Sequence, residues 1–165
     1  MVEAKQHTVE NIRGILTSVL DPEIPVLNVL EMGIIRDIDV NSESVIVTIT
    51  PTYSGCPAMH VIEEEIRSVL RENGIETVEI KTTFSPAWTT EWLSENTKLK
   101  LKDYGIAPPS GVHQTQLLQI ELPPPPCPYC KSKETELKSQ FGSTACKAYY
   151  FCPSCRQPFE YFKPI

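Results

Sequence analysis

Two Cys-x-x-Cys pairs, Cys127-Pro-Tyr-Cys130 and Cys152-Pro-Ser-Cys155, stand 21 residues apart in the last quarter of this chain. One such pair places two sulfurs on a single tight loop, which is half of a tetrahedron. Two loops brought together by a hairpin give four-thiolate coordination, the usual closed arrangement of structural zinc. Iron in a rubredoxin-like site is the alternative, because tetrahedral sulfur suits iron as well. The glycine often found after the second cysteine of a knuckle is absent; Lys131 and Arg156 stand there instead. A module of about 40 residues cannot fold on its apolar core alone, so metal binding here would be folding rather than catalysis. Residues 145–151 and 159–163 read as the paired strands of the resulting ribbon, with aromatic side chains covering a small sheet. Cys146 is left over; it reads first as a buried strand residue, with a spare ligand or a redox-sensitive thiol as the alternatives.

The rest of the chain is built differently. Residues 1–105 hold nine basic and seventeen acidic residues, and residues 106–165 hold six and four. Prolines divide five against ten across the same point, and cysteines one against five. Two modules are expected: 1–105, then a linker over 106–122, then the ribbon over 123–165. The run Pro123–Pro126 favours extended polyproline II and reads as a stiff spacer. The overall net charge of −6 disfavours a general nucleic-acid binder, whose affinity comes mostly from neutralising phosphates. No apolar run approaches the ~20 residues needed to span a bilayer, and the N-terminal residues lack a signal-peptide core. A cytoplasmic chain is expected, and in that reducing compartment six cysteines mean metal or thiol chemistry rather than disulfides.

In the first module, Val9, Ile12, Leu16, Val19 and Leu20 recur at helical spacing behind Thr8 as N-cap, and the helix should run to Leu20. Residues 34–40 and 45–50 read as strands, the second almost wholly β-branched. Met59, Ile62, Ile66, Val69 and Leu70 form a second helical stripe that stops at Asn73-Gly74. Val78 and Ile80 mark a third strand, and Leu93, Thr97, Leu101 and Tyr104 a last helix. The order αββαβα predicts an α+β fold with a three-stranded sheet.

Two segments of this module carry chemistry. In Thr50-Pro-Thr-Tyr-Ser-Gly-Cys-Pro57, proline suits the first helical position, which makes Cys56 the N-cap. A sulfur there faces unpaired backbone N–H groups and the positive end of the helix dipole; both should lower its pKa and favour thiolate. Gly55 would let a ligand approach the backbone closely. In Asp21-Pro-Glu-Ile-Pro25, two carboxylates flank a rigid proline; Asp21 and Glu23 could orient a thiol or ligate a hard metal, or simply form a solvated turn. His7, His60 and His113 are scattered and read as ordinary residues.

Together, DPEIPVLNVLEMGIIRDI and TPTYSGCP resemble the small iron–sulfur assembly domain of SufT-type maturation proteins, over roughly residues 8–84. In that family the acidic loop and the cysteine after the second strand are the functional residues, which implies Asp21, Glu23 and Cys56 here. Over nearly the whole length, with PAWTTEWLSENTKLKLKDYGIAPP and the tail FGSTACK, the chain resembles the PaaD family, a component of bacterial phenylacetyl-CoA epoxidase systems in aerobic phenylacetate degradation. Members often end Lys-Cys-Ile, where this chain has Lys163-Pro-Ile165, leaving Cys127, Cys130, Cys152 and Cys155 for the metal. The resemblance implies an accessory protein without catalytic activity of its own, with structural zinc and a transient iron–sulfur cluster. It implies partnership with the other epoxidase subunits, above all the flavin/[2Fe–2S] reductase. One Cys56 cannot supply the four ligands of a [2Fe–2S] cluster, so a carrier role would need a homodimer, a partner's thiols or glutathione. The alternative is a docking protein that handles no cluster. A thiol enzyme using Cys56 and His60 is the third reading.

Overall fold

The sheet of the first module is built around the strand whose sequence is almost entirely β-branched. In the computed structural model, which describes residues 7–41, 44–53, 55–110 and 123–165, β2 (Val45–Ile49) lies between β1 (Ile35–Val40) and β3 (Val78–Thr82). It pairs antiparallel with β1 and parallel with β3. A parallel neighbour cannot be reached by a tight turn, and the crossover is α2 (Ala58–Glu72). Strand alternation turns Val45, Val47 and Ile49 into the core, where they are buried with Ile62, Ile66 and Leu70 of α2. Asn73 closes the helix and Gly74 takes φ +86°, the left-handed turn expected after a helix C-cap.

The first helix, α1, runs Val9–Leu16, with the Thr8 hydroxyl accepting from the Asn11 N–H at 3.2 Å. It ends four residues before the predicted stop at Leu20. Thr17 and Ser18 turn their hydroxyls onto the Gly14 and Ile15 carbonyls, satisfying groups that a continuing helix would have used. The chain then pairs with its own return. The Val29 N–H donates to Val19 at 3.0 Å, and the Asp21 N–H to Leu27 at 2.9 Å. Val19 is buried as the helical reading required, but from a loop.

The chain divides into two compact units, Met1–Trp88 and Thr89–Ile165. The boundary therefore falls before the last helix, not after residue 105. That helix, α3 (Glu95–Asp103), starts at Ser94, whose hydroxyl accepts from the Thr97 N–H. It leads into β4 (Ile106–Ala107), which pairs parallel with β7 (Gln157–Phe162). With β6 (Lys147–Cys152) and β5 (Glu136–Ser139), the sheet order is β4-β7-β6-β5. Residues 106 and 107 are thus strand rather than linker, and residues 111–122 lie outside the described residues. Further ties bind this segment to the ribbon. Gly105 has φ +93°, and a Cβ there would lie 2.7 Å from the Tyr129 hydroxyl, so the first knuckle's tyrosine covers a position only glycine fits. The Thr90 N–H and the Thr89 hydroxyl both donate to the Ile165 carbonyl.

Across β6 and β7, Lys147 is only 2% exposed, and its Nζ meets Glu160 Oε2 at 2.9 Å. Glu160 Oε1 accepts from the Ser143 N–H, and a Cβ on Gly142 would stand 2.6 Å from that oxygen. The segment 141–147 is therefore wrapped around one ion pair. Burial pushes the Glu160 carboxyl up, yet the bonds from Ser143 and Lys147 outweigh it and hold the group below its usual range. This contribution is complete above the ordinary glutamate range and is lost as pH falls through the lowered value.

Gly105→Ala should destabilise the second unit by about 1–3 kcal/mol, through backbone strain and the tyrosine clash, with hydrogen exchange in residues 7–82 unchanged. Glu160→Ala, which strands a buried ammonium, should cost about 3 kcal/mol. Glu160→Gln should cost less, because its amide oxygen still accepts. Thermal melts of the metal-loaded protein check both positions.

Candidate functional site: a four-cysteine centre and a thiol at a helix start

The two knuckles meet as their spacing requires. The Sγ atoms of Cys127, Cys130, Cys152 and Cys155 all lie within 4.8 Å of one another, with Cys127–Cys155 at 3.6 Å and Cys130–Cys152 at 3.5 Å. Metal–sulfur bonds of about 2.3 Å put tetrahedral sulfurs about 3.8 Å apart, so the donor set fits a tetrahedral cation such as zinc. Each knuckle closes on its own first cysteine: the Lys131 N–H donates to the Cys127 carbonyl and the Arg156 N–H to that of Cys152. A Ser132–Ser154 hydroxyl contact of 3.0 Å joins the two loops. Cys127 and Cys152 belong to the ribbon core with Ala107, Ala148, Phe159 and Tyr161. The Cys155 N–H, with the neighbouring thiols, pulls Cys152 down to about 7, while burial pushes Cys155 up to about 12. Metal entry must therefore displace protons from this set. Cys146 is buried outside it, its sulfur 3.0 Å from the Thr144 hydroxyl.

Cys56 sits where the loop leaving β2 becomes α2. The N-cap of α2 is Pro57, which already has helical dihedrals and makes no side-chain cap bond, so Cys56 stands one residue before the capping position expected of it. The Ala58 and Met59 N–H groups and the Thr52 hydroxyl lie on the side of the sulfur where they favour its thiolate. Asp21 is close enough to act on it by charge, so the two segments singled out in the sequence do converge. The expected lowering of the pKa does not follow. Burial pushes the Cys56 thiol up, the Asp21 charge adds to that, and the helix-end amides and Thr52 only partly offset them. The resting group is a protonated, half-buried thiol.

Asp21 is 6% exposed, and its Oδ1 accepts from the Glu23 and Ile24 N–H groups at 2.8 and 2.9 Å. The carboxylate is thus fixed by its own turn, while Glu23 is exposed beyond it. Thr52, at 8% exposure, was not anticipated; its only sequence signal is its place in Thr50-Pro51-Thr52, ahead of the cysteine. Thr50 is also buried, and its hydroxyl has no hydrogen-bond partner among the described residues. A Cβ on Gly55 would meet only Tyr53, at 3.8 Å, so nothing in the described residues demands glycine there. His60 is exposed and lies 3.4 Å from Glu64, and the His7 ring contacts Asn11; His113 is outside the described residues. Among the described residues, no helix is long and apolar enough to cross a membrane.

The two units thus define a class: an α+β domain carrying one cysteine at a helix start, joined to a four-cysteine ribbon. Residues 9–81 match the family described as "Iron-sulfur cluster assembly protein", and residues 113–163 match "PaaD zinc beta ribbon domain". A crystal structure of a DUF59 domain from Bacillus anthracis is similar to 56% of this chain and 89% of its own, at 25% identity and a TM-score of 0.53. A conserved hypothetical protein of Thermotoga maritima gives 30% identity and a TM-score of 0.52 over 59% of this chain and 97% of its own. An "Fe-S protein maturation auxiliary factor" of Porphyromonas gingivalis is 41% identical over 58% of this chain and 91% of its own length. A protein of Escherichia coli K12 whose name makes it a subunit of a "Putative 1,2-phenylacetyl-CoA epoxidase" is 44% identical over 95% of this chain and 93% of its own. The chain belongs to the PaaD family.

Asp21→Asn keeps the oxygen that accepts from Glu23 and Ile24 but removes the charge, so the pH midpoint of Cys56 alkylation should fall. Thr52→Val, which removes a donor, should raise it. Alkylation rate against pH, followed by peptide mass, reads both. Cys127→Ser should release the metal and unfold residues 89–165, while exchange protection in α2 and β2 persists.

Proposed function

We propose that this protein is an accessory maturation factor of a phenylacetyl-CoA epoxidase system, handling iron–sulfur clusters for the flavin/[2Fe–2S] reductase. The observation that carries this reading is the convergence of Asp21 and Thr52 on Cys56, at a helix start in a domain matching the assembly family. A protonated thiol among fixed donors suits transient use: it binds iron when the proton leaves and releases it when the proton returns. Asp21 holds the loop, and exposed Glu23 is the residue free to meet incoming iron. The cluster is cargo, and its other ligands come from a second copy, a partner's thiols or glutathione, since residues 1–88 contain one cysteine. The four-cysteine site holds structural zinc, about one ion per chain. Both activities belong to the cytoplasm, where thiols stay reduced.

The name of the Escherichia coli relative, which places it among epoxidase subunits, supports a second reading in which the protein docks components and carries no cluster. One measurement separates them: the iron and acid-labile sulfide content of reductase purified from cells expressing Cys56→Ala. The maturation reading expects reductase that retains flavin but lacks its [2Fe–2S] centre. Fully loaded reductase would leave docking as the better account.

A further inference from the structure

Lys131 and Arg156 are the only two non-glycine residues with left-handed backbone among the described residues, at φ 64° and 58°. They occupy equivalent places, each following the second cysteine of a knuckle and each closing that knuckle through its N–H. Glycine takes this conformation without penalty, and Asn or Asp would be the next cheapest. The chain instead carries a long cation at both positions. Neither head group forms an ion pair among the described residues, and both residues are exposed, so no other contact accounts for them. Backbone strain that a protein keeps is commonly tied to the adjacent site.

That site has an electrostatic need. A divalent metal held by four thiolates leaves two negative charges, and here they are partly withdrawn from water by the ribbon core. Each cation starts one peptide from a ligand cysteine, about 3.8 Å between Cα atoms. The Ser132–Ser154 contact brings the two knuckle loops together, so both residues flank one centre. We propose that Lys131 and Arg156 are charge-compensating residues of the four-cysteine metal site, and that the strained knuckle backbone is retained to place them there. They lower the energy of the anionic, metal-bound centre relative to the empty one.

The test uses the full chain loaded with zinc, and measures transfer of zinc to a chromogenic chelator across a range of sodium chloride concentrations. Lys131→Gln with Arg156→Gln keeps both Cβ atoms, and hence the backbone strain, while removing both charges. Zinc affinity should fall about tenfold at low ionic strength, and the gap should close to about twofold near 1 M salt, where screening acts within about 3 Å. The swapped variant, Lys131→Arg with Arg156→Lys, keeps the charges and should hold zinc as the wild type does. Circular dichroism confirms that each variant is folded. Equal affinity of the Gln variant and wild type at low salt, or a deficit that salt does not change, would overturn the proposal.

Discussion

Four sulfurs within 4.8 Å of one another cannot all carry charge without a cation between them, and the second unit is arranged around that fact. Two of the sulfurs are core residues, so the metal site and the apolar cluster are one object. The sheet extends from it in both directions: β6 ends at Cys152, and β7 begins two residues after Cys155. Tyr129, inside the first knuckle, reaches Gly105 and so makes α3 and β4 dependent on the same loop. A metal bound here would be a folding element for the whole second unit, not for the ribbon strands alone.

The first unit solves a different problem with its cysteine. Its core is aliphatic, and Cys56 lies half-buried outside it. The loop leaving β2 and the acidic turn place Cys56 among two backbone donors, one hydroxyl and one carboxylate. Burial and Asp21 keep it protonated, while the amides and the hydroxyl favour the charged form. The helix-end amides thus stabilise a thiolate without making it the resting form.

Period and spacing made most of this legible beforehand. The β-branched run 45–49, the stripe Ile62–Ile66–Leu70, the Asn-Gly helix stop and the knuckle spacing each point to one local structure, and each formed. What was not legible depended on distant partners. The end of α1 is decided by pairing with residues 28 and 29, which no local propensity contains. The two-residue strand β4 is too short for a periodicity, and α3 is held in the second unit by its flanks, through Thr89 on Ile165, Gly105 beneath Tyr129 and β4 on β7. At Cys56 the position was readable, but the sign of its pKa shift was not, because burial and the proximity of Asp21 arise only in the folded chain.

We propose a division of labour, with Cys56 for a transient cluster and the knuckle cysteines for a resident metal. Its most direct test is anaerobic loading of the purified full chain with iron and sulfide, with zinc, iron and sulfide quantified on wild type and Cys56→Ala. The account predicts that both proteins keep their zinc while only the wild type acquires iron and sulfide. Equal iron and sulfide uptake by Cys56→Ala, or uptake matched by loss of zinc from the knuckles, would contradict it.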